Sequence, residues 1–329
     1  MSYKPWQLNI GEYPADGKFR EKMEFISRFG LLAPSVHNTQ PWRYYFENNY
    51  LEITPDNDRI LTHGDPTGRE CWISIGCCVQ AIVQAAEAYG LTTKVTADEG
   101  VKIEFLEKAG IKNLKALHAI IDRASDRSLF SPARSKVLDL SDVWTSETTK
   151  ITVSDDKNLI KKVADLSSKC IALALSIPEF RRELSECIRT NFTKKPDGMP
   201  GFVFGKGLFG SIFNIVRYRF LDVSGSESEN EKQKIVSATW LVFILTSGDT
   251  KEFWLEAGRA YMAACIKITH LGYAHSTSAA VVEAPEFHKE IETALNTNYR
   301  LQAVIRVGTS GKKPLHSPRR ELNEVTSTA

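Results

Sequence analysis

The chain has 329 residues, of which 42% are hydrophobic and 25% charged, and it carries a formal net charge of +2. That length allows two ordinary domains or one large one. The near-neutral balance gives no electrostatic footprint for nucleic acid or an anionic membrane, so neither is expected as a partner.

The first 18 residues, MSYKPWQLNIGEYPADGK, have no basic start followed by an apolar run, so no signal peptide is expected and the protein reads as cytoplasmic. A helix is predicted over KFREKMEFISRFGLLA. The loop APSVHNTQPWRYYF (33–46) follows, with Pro34 and Pro41 excluding a helix or strand interior. It leads into a hairpin, RYYFENNYLEITPD, turning at Asn48 and Asn49. After DPTGRE comes a long apolar helix ending at Gly90, then strand-like TTKVTADEGVKIEFLEK.

The second part of the chain opens with KALHAIIDRASDRSLF, followed by a strand TTKITVS and a helix DKNLIKKVADLSSKCIALALS. Residues 180–235 fit neither part. TKKPDGMPGFVFGKGLFGSIFN is rich in Gly and Phe, and SGSESENEKQK is a polar run that reads as a solvated loop or helix start. An insertion of that length is a lid or a linker, and its phenylalanines favour a lid. VSATWLVFILTSG is too short for a membrane span and reads as a buried strand. A second long helix ending at Gly272 and a strand LQAVIRVG complete the fold.

The two long helices repeat. RECWISIGCCVQAIVQAAEAYG and KEFWLEAGRAYMAACIKITHLG align without a gap, with Glu70, Trp72, Gly76, Ala81 and Gly90 each 182 positions before Glu252, Trp254, Gly258, Ala263 and Gly272. This predicts an ancient duplication. Half one covers residues 1–115, and half two covers 116–329 with the lid-like insertion. The mixture of hairpin signals and long helices favours an α+β class over a doubly wound sheet.

Six cysteines (71, 77, 78, 170, 187 and 265) show no CxxC pair and no metal spacing, so no metal site is expected and buried thiols are the plain reading. No GxGxxG follows a strand, and no Gly-x-Ser-x-Gly elbow or HExxH motif is present. Arg123, Ser125 and Arg127 alternate, which puts two guanidinium groups around a hydroxyl on one side of an extended segment. Such forks match phosphate oxygens. Pairing of Arg123 with Asp126, or of Asp122 with Arg127, on a plain surface is the competing reading. Arg319 and Arg320, after a proline near the C-terminus, add a second basic pair.

Together these stretches resemble the FMN-dependent nitroreductase superfamily, in its fused, single-chain, Acg-like NAD(P)H nitroreductase branch. The resemblance rests on Pro34, Ser35, Val36, His37, Asn38, Thr39, Gln40, Pro41 and Trp42, with DPTGRE and the ending RVGTSGKKPLHSPRRELNEV in support. It implies a nitroreductase-like α+β fold in which two fused halves form an internal pseudo-dimer, with mixed or antiparallel sheets flanking long central helices. It also implies one FMN per chain. Arg123 and Ser125 would face its phosphate and ribityl chain. Arg127 would sit beside N1 and O2, where a cation raises the reduction potential, and Arg319 and Arg320 would complete the phosphate site, with the one that touches the phosphate left open. Half one would reach across with Pro34, Ser35, His37 and Asn38, and a backbone N–H within Ser276 to Ala280 would lie near flavin N5. The glutamate common there in ordinary members is absent.

Trp42 and Gln40 read more simply as loop-packing residues, and His37 as either a structural hydrogen-bonder or a site residue. No side chain is required as a general acid. The resemblance leaves two readings: an oxidoreductase passing electrons from NAD(P)H to a nitroaromatic or quinone-type acceptor, or a flavin-binding protein that stores or sequesters FMN under its lid. The fused chain is expected as a monomer, with further dimerisation left open.

Overall fold

The computed structural model describes residues 3–107, 114–133 and 137–327. The expected junction of the two halves, near residue 115, adjoins residues 108–113, which lie outside the described residues.

In chain order the elements are α1 (Phe19–Ser27), β1 (Trp42–Phe46), β2 (Tyr50–Pro55), α2 (Arg69–Ala88), β3 (Leu91–Ala97) and β4 (Val101–Glu107). Next come α3 (Lys115–Asp122), β5 (Thr149–Ser154), α4 (Lys157–Ser176), α5 (Pro178–Cys187), and the short strands β6 (Ile188–Arg189) and β7 (Met199–Pro200). The chain continues through α6 (Leu208–Phe220), α7 (Ser224–Val236), β8 (Trp240–Thr246), α8 (Lys251–His270) and β9 (Ala274–Thr277). It ends with α9 (Ala280–Glu283), α10 (Pro285–Ala294), β10 (Arg300–Gly308) and α11 (Leu322–Val325).

Two four-stranded sheets form, ordered β1-β2-β4-β3 and β5-β8-β10-β9, with every neighbouring pair antiparallel. The order is the same in both once strands are matched by their place relative to the long helices, α2 before β3 and α8 before β9. Both helices end on a glycine at positive φ, Gly90 and Gly272. They pack against each other in the middle of the molecule, and one apolar core runs from the first sheet through both helices to the second.

The core also explains the strand patterns. In β8 all seven residues are buried, because Trp240, Val242 and Ile244 face the central core while Leu241, Phe243 and Leu245 face a second core under α4, α9 and α10. A strand covered on both faces reads as a continuous apolar run rather than an alternation. By contrast, β3 has a largely uncovered face.

The first turn of α2 is fixed by Asp65 of the DPTGRE segment, whose two carboxylate oxygens accept from the backbone N–H groups of Glu70 (3.0 Å) and Cys71 (2.8 Å). These are among the donors that a helix start leaves without intrahelical partners. The C-terminal segment leaves the second sheet and returns to the first, where Thr326 bridges Tyr44 in parallel and Ser327 N donates to Tyr44 O. The insertion folds as α5, β6, β7, α6 and α7. The polar run SGSESENEKQK is helical, forming most of α7, which lies along α4. Among the described residues one helix, α2, is long and apolar enough to cross a membrane, and it is buried in the core.

Candidate functional site

The loop between α1 and β1 holds an unusual backbone. His37, Asn38 and Gln40 all have positive φ (45°, 61° and 54°), a region that residues other than glycine adopt uncommonly. Strain of this kind persists only where surroundings over-determine it. Here the Ser35 hydroxyl accepts from Gln40 N at 2.9 Å, Gln40 Oε1 accepts from Arg320 N at 2.7 Å, and Asn38 Nδ2 donates to Gly198 O (2.9 Å) and Pro318 O (3.0 Å). The loop is therefore shaped by the lid segment on one side and the C-terminal segment on the other.

The segment after α3 runs extended beside β9, with Ser125 bridging His275 and Asp126 N donating to His275 O at 2.9 Å. Arg306, buried in β10, braces the same segment by donating to Asp126 O (2.6 Å) and Ser128 O (2.9 Å). The surface pairing that competed with the anion-site reading does not form. Asp122 is engaged by Lys313 at 2.7 Å, and Asp126 accepts from Ser128 N.

Loop and segment converge on two adjoining cavities. The smaller, about 50 Å³, is lined by Pro34, Ser35, Asn38, Arg123, Ser125, Arg127 and Arg319, and closed by Trp6 and His316. The larger, about 500 Å³, shares Pro34, Ser35, Ser125 and Arg127 with it and adds His37 and the backbone stretch 276–280. That volume is in the range of small-molecule sites, roughly 300–1,000 Å³. The insertion covers it with Phe180, Leu184, Met199, Phe204 and Tyr218.

The electrostatics of the small cavity are one-sided. Arg123 is buried and donates only one hydrogen bond, from Nη2 to Leu32 O at 3.1 Å, while its Nε and Nη1 have no partner. Arg319 is also buried, bonded to Asn38 Oδ1 (2.5 Å) and Pro318 O (3.1 Å), with Nε unpartnered. Among the described residues no carboxylate pairs with Arg123, Arg127 or Arg319. Burial, and then the charge of Arg123, hold the Arg319 pKa well below its ordinary value. Burial likewise lowers Arg127. A buried donor left unsatisfied costs about 1–3 kcal/mol, more when charged, and an anionic ligand removes that cost for both arginines together.

The imidazoles here are neutral. His37, in the large cavity, is pulled down to about 4 by burial and then by Arg127. His316, stacked on Trp6 at 3.8 Å, is pulled down to about 4 by burial and then by Arg123. All six cysteines are free and buried, and burial raises each thiol.

Of the residues singled out by sequence, Pro34, Ser35, His37, Asn38, Arg123, Ser125, Arg127 and Arg319 all line one or both cavities. Arg320 does not. It is bound up with Asp56 (3.3 Å), Gln40 O (3.1 Å) and the C-terminal turn, so the expectation that it completes a phosphate site is corrected to a role in holding the loop. The pair Arg319–Arg320 splits because neighbouring residues in an extended segment point opposite ways. Trp42 is fully buried and lines neither cavity. Gln40 bonds its own loop and Pro196 O.

Sequence reasoning missed Trp6, His316, Met199 and Arg306. An aromatic and an imidazole beside prolines, and an arginine inside an otherwise apolar strand, were the available signals. Missed as well was Glu183 of α5, whose carboxylate accepts from three successive backbone N–H groups, Thr62 (2.6 Å), His63 (3.0 Å) and Gly64 (2.7 Å).

With this geometry in view, similarity to known proteins can be stated. No protein family model matches the chain. It is 23% identical over 314 residues, 89% of this chain and 91% of the relative, to "Putative NAD(P)H nitroreductase acg" of Mycobacterium tuberculosis. A further relative in that organism, "Putative NAD(P)H nitroreductase Rv3131", is 36% identical over 75 residues, 23% of this chain and 22% of the relative. Among solved structures, the FMN and NADPH-dependent nitroreductase NfnB from "sphigopyxis sp. strain HMH" aligns at TM-score 0.40 and 13% identity, covering 65% of this chain and 98% of that one. An iodotyrosine deiodinase bound to FMN and 3-iodo-L-tyrosine aligns at TM-score 0.36 and 12% identity, covering 63% and 95%. Over most of its length the chain is thus similar to a protein named as an NAD(P)H nitroreductase.

Proposed function

We propose that the protein binds one FMN per chain and is an NAD(P)H-linked oxidoreductase of nitroreductase type. The observation that carries this reading is the trio of buried Arg123, buried Arg319 and half-buried Arg127, none paired with a carboxylate among the described residues, at the narrow end of a large, partly apolar cavity. Arg123, with Nε and Nη1 unpartnered, and Arg319, with Nε unpartnered, would hold a doubly charged phosphate, and Ser35 and Ser125 line the same cavity. The larger cavity suits a flat ring system.

When bound, FMN supplies reversible two-electron chemistry between a reduced nicotinamide and an acceptor. The protein's part is positional. Arg127 puts a positive charge at the junction of the two cavities, favouring a ring that gains negative charge on reduction. Neutral His37 and the 276–280 backbone offer hydrogen bonds without adding charge. Met199, Phe204 and Tyr218 keep water from that side. The reaction requires no side chain as a general acid.

The repeat at 182 positions and the matching strand orders support reading the chain as a fused pseudo-dimer. Half one, 1–115, offers its loop to a cofactor anchored by half two, 116–329. A small-molecule acceptor, a monomeric chain and a cytoplasmic setting belong to the same reading.

A second reading, sequestration of FMN without turnover, is favoured by one observation. The covering segment is tied down by Asn38 to Gly198 O, Gln40 to Pro196 O and Glu183 to the 62–64 backbone. One experiment separates the two. The purified protein is assayed for FMN per chain, then mixed anaerobically with NADH and NADPH while flavin absorbance is followed. Bleaching within turnover times supports the oxidoreductase. Stoichiometric FMN that bleaches only after the lid is loosened supports storage. A colourless protein that does not take up FMN overturns both.

A further inference from the structure

Helix α6 is built inside out. Its buried residues are Ser211, Asn214 and Tyr218, whereas Leu208, Phe209, Ile212, Phe213, Val216 and Phe220 are exposed, with Phe209 at 86%, Phe213 at 62% and Phe220 at 71%. At 3.6 residues per turn the exposed set falls within an arc of about 140° on one side. Scattered surface apolar residues need no explanation, but a contiguous apolar face does.

The charges around that face are mostly positive. Lys206, Arg217 and Arg219 lie in or beside the helix and Lys194 and Lys195 stand just before it, against one exposed acid, Asp222, two residues past its end. Arg217 is neutralised by Glu227 of α7 at 2.8 Å, which leaves Lys206 and Arg219 at the two ends of the helix. Lys194 and Lys195 are exposed in the adjoining loop.

We propose that α6 docks this face on an anionic lipid surface, lying in the plane of the interface with its phenylalanines inserted and its flanking lysines and arginine at headgroup level. An apolar face flanked by an excess of basic residues is what such binding requires. A second copy of the chain fits less well. Lys206, Arg219 and the adjoining Lys194 and Lys195 outnumber Asp222, so pairing two such faces brings net like charge together, which opposes association. The expectation of no membrane contact came from the whole-chain charge of +2, which averages this local excess away.

The test is flotation of the full-length protein with vesicles of phosphatidylcholine alone or mixed with phosphatidylglycerol, at low and high salt. The expected result is binding to the anionic vesicles that weakens on neutral ones and in high salt. The exposed double substitution Phe209→Ser with Phe213→Ser should weaken it about tenfold or more while leaving the thermal midpoint unchanged. Lys206→Glu with Arg219→Glu, which keeps the apolar face, should weaken binding to anionic vesicles only. No binding to either vesicle, equal binding to both, or binding unaltered by the phenylalanine changes overturns the proposal. So does a concentration-dependent dimer that the phenylalanine changes dissociate.

Discussion

Gly76 and Gly258 touch where the central helices α2 and α8 cross. A Cβ on Gly76 would lie 2.9 Å from Gly258 Cα and closer still to Leu255 O, and a Cβ on Gly258 would lie 2.9 Å from Ile73 Cα and closer still to Ile73 O. The obstacles are backbone atoms, which cannot swing aside. Cys77 Sγ, next to Gly76, donates to Gly258 O at 3.3 Å, another mark of the close approach. Gly76→Ala and Gly258→Ala should each destabilise the protein by about 3 kcal/mol, the upper part of the usual overpacking range. The double variant should cost clearly less than the sum, because one separation of the helices relieves both clashes. Urea midpoints measure this, and strict additivity would mean that the two glycines do not share a contact.

The Glu183 clasp predicts a change in lid opening rather than in global stability. Glu183→Ala leaves the exposed N–H groups of Thr62 and His63 to water, which costs little, and the part-buried one of Gly64 without its acceptor, and it releases α5 from residues 62–64. Hydrogen exchange should quicken at Thr62, His63, Gly64 and around Gly198, with the unfolding midpoint shifted by less than about 1 kcal/mol. Bound flavin should also exchange faster. Unchanged exchange at both places would remove the clasp from the account.

Acid should destabilise the fold through its histidines. Burial and neighbouring arginines pull His37, His275 and His316 down to about 4, 3 and 4, against an unfolded value near 6.5. Below pH ~6.5 the unfolded chain therefore binds more protons than the folded one, and stability falls as pH drops through the folded values. Asp65 acts in the opposite sense. Burial raises it to about 6 in the fold, so it costs stability at neutral pH and gives that back as pH falls below 6. Glu283, raised to about 8 chiefly by burial, acts in the same sense as Asp65, so the histidine contribution is read from a histidine variant rather than from the net slope. Stability measured against pH should show the parent chain losing stability relative to His316→Gln as pH falls from 6.5 to 4. An equal slope in that variant would mean that His316 is not held neutral.

Much of the architecture was readable because close packing leaves marks on the chain. The glycines at the α2–α8 crossing, the β8 run and the two glycine-ended helices each follow from a local demand that only certain residues meet. The cavity lining was readable where a loop motif or an alternating Arg-x-Ser-x-Arg stretch brings chemistry together within a few residues. Trp6 and His316 were not readable, because they meet only when the N- and C-terminal segments lie side by side. The Glu183 partners are backbone N–H groups, which carry no residue signature. Arg320 looked equivalent to Arg319 until the direction of each side chain was known. The α6 face looked like lid material because its phenylalanines were assumed to point inward.

The central claim is that the arginines of the small cavity hold a phosphate. It is tested most directly by titrating the flavin-free protein with FMN and with riboflavin, which differ by that phosphate alone. The account predicts one FMN per chain, bound at least about 100-fold more tightly than riboflavin, since two charge-assisted contacts contribute about 1.5–3 kcal/mol each. In Arg123→Ala that preference should shrink by about tenfold or more, with riboflavin binding little changed. Equal affinity for the two flavins, or a preference that survives loss of Arg123, would contradict it.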